Sequence, residues 1–287
     1  MPLVCIVCNS QIDGKEIFRN LYRCKRCSFV FAPVPNTEEE IQHLYANPNY
    51  FFGGFEGSDY VDYLKEQRAL YKNFKHRLEG VLRYSKNPHE KSLFEIGSGY
   101  GFFLDVARSK FKEVRGIDIS PQGCHYATQK LGLNVQNEDF LRLSLHKQIF
   151  DVFCLWDTLE HLAVPHLYIE KISSHMSKDG LLHITTGDID SWNAKWRGSK
   201  WRLIHPPTHL HYFSKKTLTR LLNKYHFELV QVTYPGNYRT LNAFLKGMIH
   251  DNRKGKEIIS MMNHLNLLDI PIYLNLFDIM HVVARKA

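Results

Sequence analysis

The 287-residue sequence lacks an unbroken apolar run long enough to cross a membrane as a helix. The opening MPLVCIVC is too short for a secretory leader and carries two cysteines. The most apolar late stretch, 267–283, is broken by Asp269, Pro271, Asn275 and Asp278. Internal repeats and low-complexity segments are also missing. Basic residues exceed acidic ones, for a formal charge of +8, but they form no single block and no arginine-rich tail. An acidic partner such as a phosphate, a nucleotide-sugar or RNA suits that charge without being required by it. At 44% hydrophobic and 23% charged, the composition excludes a wholly disordered chain. The expectation is a soluble, cytosolic protein with one large α/β domain and an appendage.

Cysteine is scarce, and its placement is uneven. Four of the six fall in the first 27 residues, as Cys5-x-x-Cys8 and Cys24-x-x-Cys27. Each pair can bite one ion from a tight turn, and the 15 residues between the pairs suit a small hairpin. Four thiolates in a tetrahedron make a closed structural zinc site with no position left for chemistry. Two disulfides are the alternative, and a cytosolic setting disfavours them. So short a module buries little core, so the metal would supply much of its folding energy. Cys124 and Cys154 lie in the α/β part and read as core residues.

The organising stretch is Leu93–Gly101, LFEIGSGYG. A short apolar strand ends near Glu95, glycines follow at 97, 99 and 101, and Phe102 opens a helix. Strand, glycine turn and helix begin a nucleotide-binding α/β unit. A dinucleotide fingerprint from Gly97 requires glycine at 102, where Phe102 stands. The acidic-x-Gly-x-Gly-x-Gly pattern instead resembles the first motif of the class I S-adenosylmethionine-dependent methyltransferases. That resemblance places Glu95 near the ligand's amino group and Gly97, Gly99 and Gly101 under its methionine and ribose. A second strand ends at Asp118, 21 residues beyond Gly97, where a carboxylate can accept from both ribose hydroxyls. By the same resemblance Asp139 accepts from the adenine amino group, Phe140 flanks the ring, and Tyr50 covers the ligand.

Phe150–Trp156 is almost entirely apolar, as a strand buried on both faces of a parallel sheet should be. Trp156 and Asp157 should therefore stand at its carboxyl end, beside the cofactor. The following Asp157-Thr-Leu-Glu160-His161 resembles a run in one large methyltransferase group. The fold implied is Rossmann-like: a seven-stranded, mostly parallel sheet with flanking helices, the last strand antiparallel, plus a small N-terminal zinc ribbon. Later strands are expected at 181–185, 227–232 and 277–284.

The acceptor side falls in 188–213, a long insertion without clear periodicity. Trp192, Trp196 and Trp201 can pin this loop or wall a pocket, and Arg197, Lys200 and Arg202 can hold an anionic acceptor. His205, His209 and His211 invite a second metal, but no carboxylate or cysteine lies close in sequence to complete it. Methyl transfer to a hydroxyl or carbon acid needs a positioned base, and His161 and His209 are the candidates, with Asp157 sharing or orienting. His209 also matches a Pro-x-His then Phe-Ser pattern of the resembled group.

The expected organisation is a zinc module at 1–34, a linker with lid helices at 35–88, and the methyltransferase part at 89–287 with helices at about 242–268. The acceptor expected is a small metabolite. A four-cysteine module before such a domain also resembles certain bacterial sugar C-methyltransferases, which carry a further C-terminal domain. Two rival readings remain. In one, RNA or protein is the acceptor, docked through Lys15, Arg19, Arg23, Lys25, Arg26 and the neighbouring aromatics. In the other, the module is a binding protein and the enzyme half is degenerate.

Overall fold

The structure, a computed structural model, describes residues 4–11, 14–18, 20–32, 63–242 and 269–287. Tyr50, the first part (35–62) of the expected linker and lid helices, and the helices expected at about 242–268 beyond Asn242 lie outside the described residues.

The N-terminal strands β1 (Gly14–Phe18), β2 (Leu21–Cys24) and β3 (Val30–Phe31) form an antiparallel meander. The main chain then enters α1 (Gln67–Tyr84), whose Ala69, Phe74, Leu78 and Val81 are buried along one face. That apolar spacing is the reason the helix packs on the sheet. Glycine-turn strand β4 (Ser92–Ile96) leads into α2 (Phe102–Ala107), then β5 (Glu113–Asp118) and α3 (Pro121–Gln129). Ser120 caps α3 by accepting from the Gly123 N–H, and Pro121 fills the first helical position. Next come β6 (Val135–Asn137), β7 (Phe150–Trp156), α4 (Pro165–Ser174) and β8 (Met176–Gly187).

The insertion is more regular than its sequence suggests. It holds α5 (Trp192–Arg197), capped by Ser191, and the two-residue strand β9 (His211–Tyr212). A capping box built on Ser214 and Thr217 then starts α6 (Lys215–Lys224). Strands β10 (Phe227–Thr233), β11 (Asn237–Thr240), β12 (Pro271–Leu274) and β13 (Ile279–Lys286) complete the order. The last strand starts at Ile279, not at 277, because Phe277 takes a left-handed φ of 53° and points out to solvent.

The central sheet runs β10-β13-β8-β7-β4-β5-β6. Only β13 is antiparallel to its neighbours, pairing with both β8 and β10. This is the expected seven-stranded, mostly parallel α/β architecture. Chain order reverses between β4 and β7, so a crevice opens beyond the carboxyl ends of those strands. The small sheet runs β1-β2-β3-β9: its fourth strand comes from the insertion, nearly two hundred residues downstream. Phe29 seals this join, with ring centroids 5.3 Å from Phe213 and 5.8 Å from His211.

Candidate active site

The glycine turn after β4 has positive φ at all three glycines. At Gly97 a Cβ would fall 2.5 Å from Thr158 Oγ1, so the turn and the loop after β7 are in direct contact. At Gly99, among the described residues, a Cβ would meet only the Tyr63 hydroxyl, at 3.7 Å, so from their side the backbone can be approached closely. The Gly99 N–H donates to Asp118 at 2.7 Å and the Ser120 N–H donates to the other carboxylate oxygen at 2.8 Å. Asp118 thus ties the turn to the end of β5. Burial raises its pKa, against the lowering effect of those two N–H groups.

Glu95 is 2% exposed, and its Oε2 atom is buried without a hydrogen-bond partner. Burial, reinforced by the nearby Asp118 charge, pushes its pKa well above the carboxylate range, with Arg77 acting the other way. A buried carboxylate oxygen lacking a donor carries a desolvation penalty that a bound ammonium group would relieve. A buried carboxylate oxygen without a donor, a glycine turn with positive φ and a second carboxylate at the end of β5 are a donor and acceptor set that fits S-adenosylmethionine.

At the end of β7, Trp156 is 6% exposed and its indole N–H also has no partner. Asp157 adopts a left-handed φ of 50°, and its N–H donates to the Thr185 hydroxyl on β8 at 2.9 Å. Its carboxylate pairs with Arg77 of α1 at 2.5 Å. The Arg77 guanidinium also lies over the Trp156 ring, 5.4 Å from its centroid. Behind Trp156, His281 packs edge-on at 5.4 Å and shares a 3.1 Å hydrogen bond with His183. Burial drives both histidines down, His281 to about 4.

The short turn after Asp157 carries Glu160 and His161, and the strand-like run before β9 comes back against it. The Leu210 N–H donates to the Glu160 carbonyl at 2.9 Å. His161 Nδ1 sits 2.9 Å from the Thr208 carbonyl, and His209 Nδ1 sits 2.9 Å from the Leu203 carbonyl. A carbonyl oxygen only accepts, so each Nδ1 carries a proton, and in the neutral form of either ring the lone pair then lies on Nε2. The two rings stand edge to face, 4.4 Å apart at their centroids, with His205 3.8 Å beyond His209. His211 faces elsewhere, stacked on Phe29, and burial brings it down to about 4.

The four N-terminal cysteines converge. Cys5 and Cys27 Sγ atoms are 3.5 Å apart, and those of Cys8 and Cys24 3.7 Å. These separations are near the roughly 3.8 Å edge of a zinc tetrathiolate and far beyond a disulfide bond. Both knuckles repeat one form, with the residue after the second cysteine, Asn9 or Ser28, left-handed. Burial pushes Cys5 up to about 11. At Cys24 burial works upward too, but hydrogen bonds from Cys27, Ser10 and Arg26 bring the thiol down to about 6.

The structure sets Glu95, the glycines, Asp118, Trp156 and Asp157 at one end of the sheet, and it brings His161 and His209, which the sequence offered as separate candidates, into contact. Asp139 is already engaged, accepting from the Leu141 N–H at 2.6 Å and the Tyr168 hydroxyl at 2.7 Å. Phe140, expected to flank the adenine, is 1% exposed, its ring packed among Phe94, Phe153 and Tyr168. The tryptophans divide. Trp201 is buried and donates to Asp278 at 2.8 Å, while Trp192 and Trp196 stack on each other in solvent. Arg202 also binds Asp278, at 2.9 Å, which removes it from the expected anion-binding set. Arg77, Tyr63 and Thr158 were missed. The first two lie on or before α1, whose stripe reads as packing, and no local spacing links them to residues up to 80 positions away.

A parallel sheet closed by one reversed strand, a glycine turn backed by two carboxylates, and a crevice at the strand ends define a class I S-adenosylmethionine-dependent methyltransferase. The profile of the methyltransferase domain family matches residues 63–232, and the chain belongs to that family. It is 29% identical over 106 residues to the ubiquinone biosynthesis O-methyltransferase of Glaesserella parasuis, a stretch that is 33% of this chain and 45% of that protein. The chain thus spans less than half the length of this curated relative. Its fold is similar to that of magnesium protoporphyrin IX methyltransferase from Synechocystis with bound SAH, with a TM-score of 0.55 at 12% identity over 88% of this chain and all of the other. It is also similar to a SAM-dependent methyltransferase from Thermotoga maritima, with a TM-score of 0.53 at 18% identity over 86% of this chain and all of the other. Among the described residues no helix is long and apolar enough to cross a membrane.

Proposed function

We propose that this methyltransferase acts on a hydroxyl or carbon acid of a small metabolite, a sugar or nucleotide-sugar being the favoured class, with a histidine as general base. One observation supports the reading: His161, in the turn that follows β7, meets His209, with both Nδ1 protons committed to backbone carbonyls. In the neutral ring Nε2 is then the nitrogen that can take a proton. S-adenosylmethionine supplies the methyl group on a sulfonium, already a good leaving group. Glu95 would bind its ammonium group, Asp118 its ribose, and the glycine turn would let it lie close to the backbone. The Asp157–Arg77 pair fixes the end of β7 and orients the site without itself moving a proton. Lys200 and Arg197 are the groups left to attract an anionic acceptor. The four cysteines would hold a structural zinc.

Calorimetric titration with S-adenosylmethionine and its demethylated product, with NAD as control, tests the cofactor assignment. A screen of sugar and nucleotide-sugar acceptors then tests the substrate class. With an acceptor in hand, His161→Gln or His209→Gln should lower kcat by about a hundredfold or more. Near-normal turnover in both variants would remove the histidine base. Binding of generic RNA with a steep salt dependence would shift the acceptor class to nucleic acid.

A further inference from the structure

We infer that Glu160, His161 and His209 form a second metal site, separate from the four cysteines, for a borderline divalent ion of the zinc and cobalt type. The inference builds on the reading of His161 and His209 as acceptor-side groups, and it adds an occupant that excludes their action as bases.

The sequence seemed to lack the carboxylate for such a site, because none stands near His205, His209 and His211. The fold supplies it from the other loop. A carboxylate oxygen of Glu160 and one ring nitrogen each of His161 and His209 lie within 4.8 Å of one another. Glu160 and His209 are each 4% exposed, and His161 is half-buried, so the donors are shielded yet reachable from one side. Two imidazoles and one carboxylate make a set that suits zinc, cobalt or iron and is poor for calcium or magnesium.

The surroundings have the form that metal-binding histidines need. Such a histidine donates its other ring N–H to a carboxylate or backbone carbonyl, which fixes both tautomer and ring plane. Both rings meet that condition here, on carbonyls at 2.9 Å. The two loops that carry the donors are themselves stitched together, by the Leu210 N–H to the Glu160 carbonyl and by His211 Nε2 to the Ala163 carbonyl at 3.3 Å. The donors are therefore held in register before any ion arrives. Three protein ligands leave one tetrahedral position for water or an acceptor oxygen.

Occupancy has a chemical consequence. An ion bound at Nε2 takes the lone pair that would accept the proton, so the metal-bound and proton-accepting states exclude each other. Free zinc should then inhibit methyl transfer reversibly, and a chelator too weak to strip the cysteine site should restore it.

The test starts from full-length protein with the cysteine site filled by zinc, titrated with Co2+. The expected result is one additional equivalent, with the visible band of tetrahedral nitrogen and oxygen ligation and no thiolate-to-cobalt charge transfer. Histidine-labelled protein should show paramagnetic shifts confined to the rings of His161 and His209 and their immediate neighbours, which needs no mutation. Glu160→Gln, His161→Gln and His209→Gln should each weaken the additional site by about tenfold or more, while zinc retained at the cysteines reports that the variant is folded. No additional equivalent, or one that all three variants keep, would overturn the inference. Those results leave the histidine-base reading standing, since that reading is tested by turnover of the same variants without added metal.

Discussion

Glu95 shows at the scale of one side chain what a buried carboxylate costs the fold. Burial raises its pKa, so the folded protein holds that proton more tightly than the unfolded chain does. Below about pH 4.3 both states are protonated and the carboxyl costs nothing. As pH rises through that value the unfolded chain ionises first, and stability falls until the folded pKa is passed. Glu95→Gln should therefore raise the melting midpoint of the cofactor-free protein at about pH 8, with the gain shrinking toward pH 4. The same variant should weaken S-adenosylmethionine binding about tenfold or more in calorimetry, because a charge-assisted contact is lost. A variant that loses both stability and affinity would mark Glu95 as a structural group instead. Glu95 was legible in sequence because its chemistry is announced by the glycines two to six positions on. Arg77 was not, because a guanidinium on an amphipathic helix reads as a solvated residue until the fold sets it against Asp157.

Elements meet where glycine is obligatory. Gly97 has φ of 76°, and a Cβ there would strike Thr158. Gly97→Ala should destabilise the protein by about 1–2 kcal/mol from the left-handed backbone alone, with the clash added. In urea titrations Thr158→Ala should return part of the loss and never all of it, since the backbone share remains. The histidine pair that bridges β8 and β13 gives the sheet a pH dependence. Both rings are held neutral by burial, so their pKa values are depressed in the fold. Stability present above about pH 6.5 should be lost as pH falls, down to the folded value of about 4 for His281. His281→Gln should flatten that acid slope in melts taken from pH 7 to 4. The strands themselves were readable, since β4 and β7 are short apolar runs between turn residues. The insertion was not, because α5 and β9 are too short to show a period.

For the whole molecule, the four cysteines and the histidine loop belong to one construction, because β3 pairs with β9 two residues after His209. Cys5, Val7, Cys24, Cys27, Phe29 and Phe31 belong to the same buried cluster as Phe213, Leu218 and Leu221. Chelation under reducing conditions should lower the melting midpoint and weaken acceptor turnover more than S-adenosylmethionine binding, since the glycine turn lies on the central sheet. Equal loss of both would mean that the module supports the sheet as a whole. The cysteine pairs were visible as a motif, but their attachment to the 188–213 insertion was not, because no local pattern encodes a strand pairing across that separation.

That pairing also orders events during synthesis. Val30 and Phe31 leave the ribosome long before Tyr212 and His211, their partners, have been made. At 5–20 residues per second the nascent chain waits on the order of ten seconds or more with that strand edge unpaired. In that interval the small sheet has only its own hairpin and its thiolates to hold it, so an ion captured early would keep the edge in shape and shorten its exposure to other nascent chains. The join that sets the histidine loop in place must wait for residue 212, and among the described strands only the pairings of β11, β12 and β13 draw on later sequence, so the meeting of His161 and His209 belongs to the later part of folding.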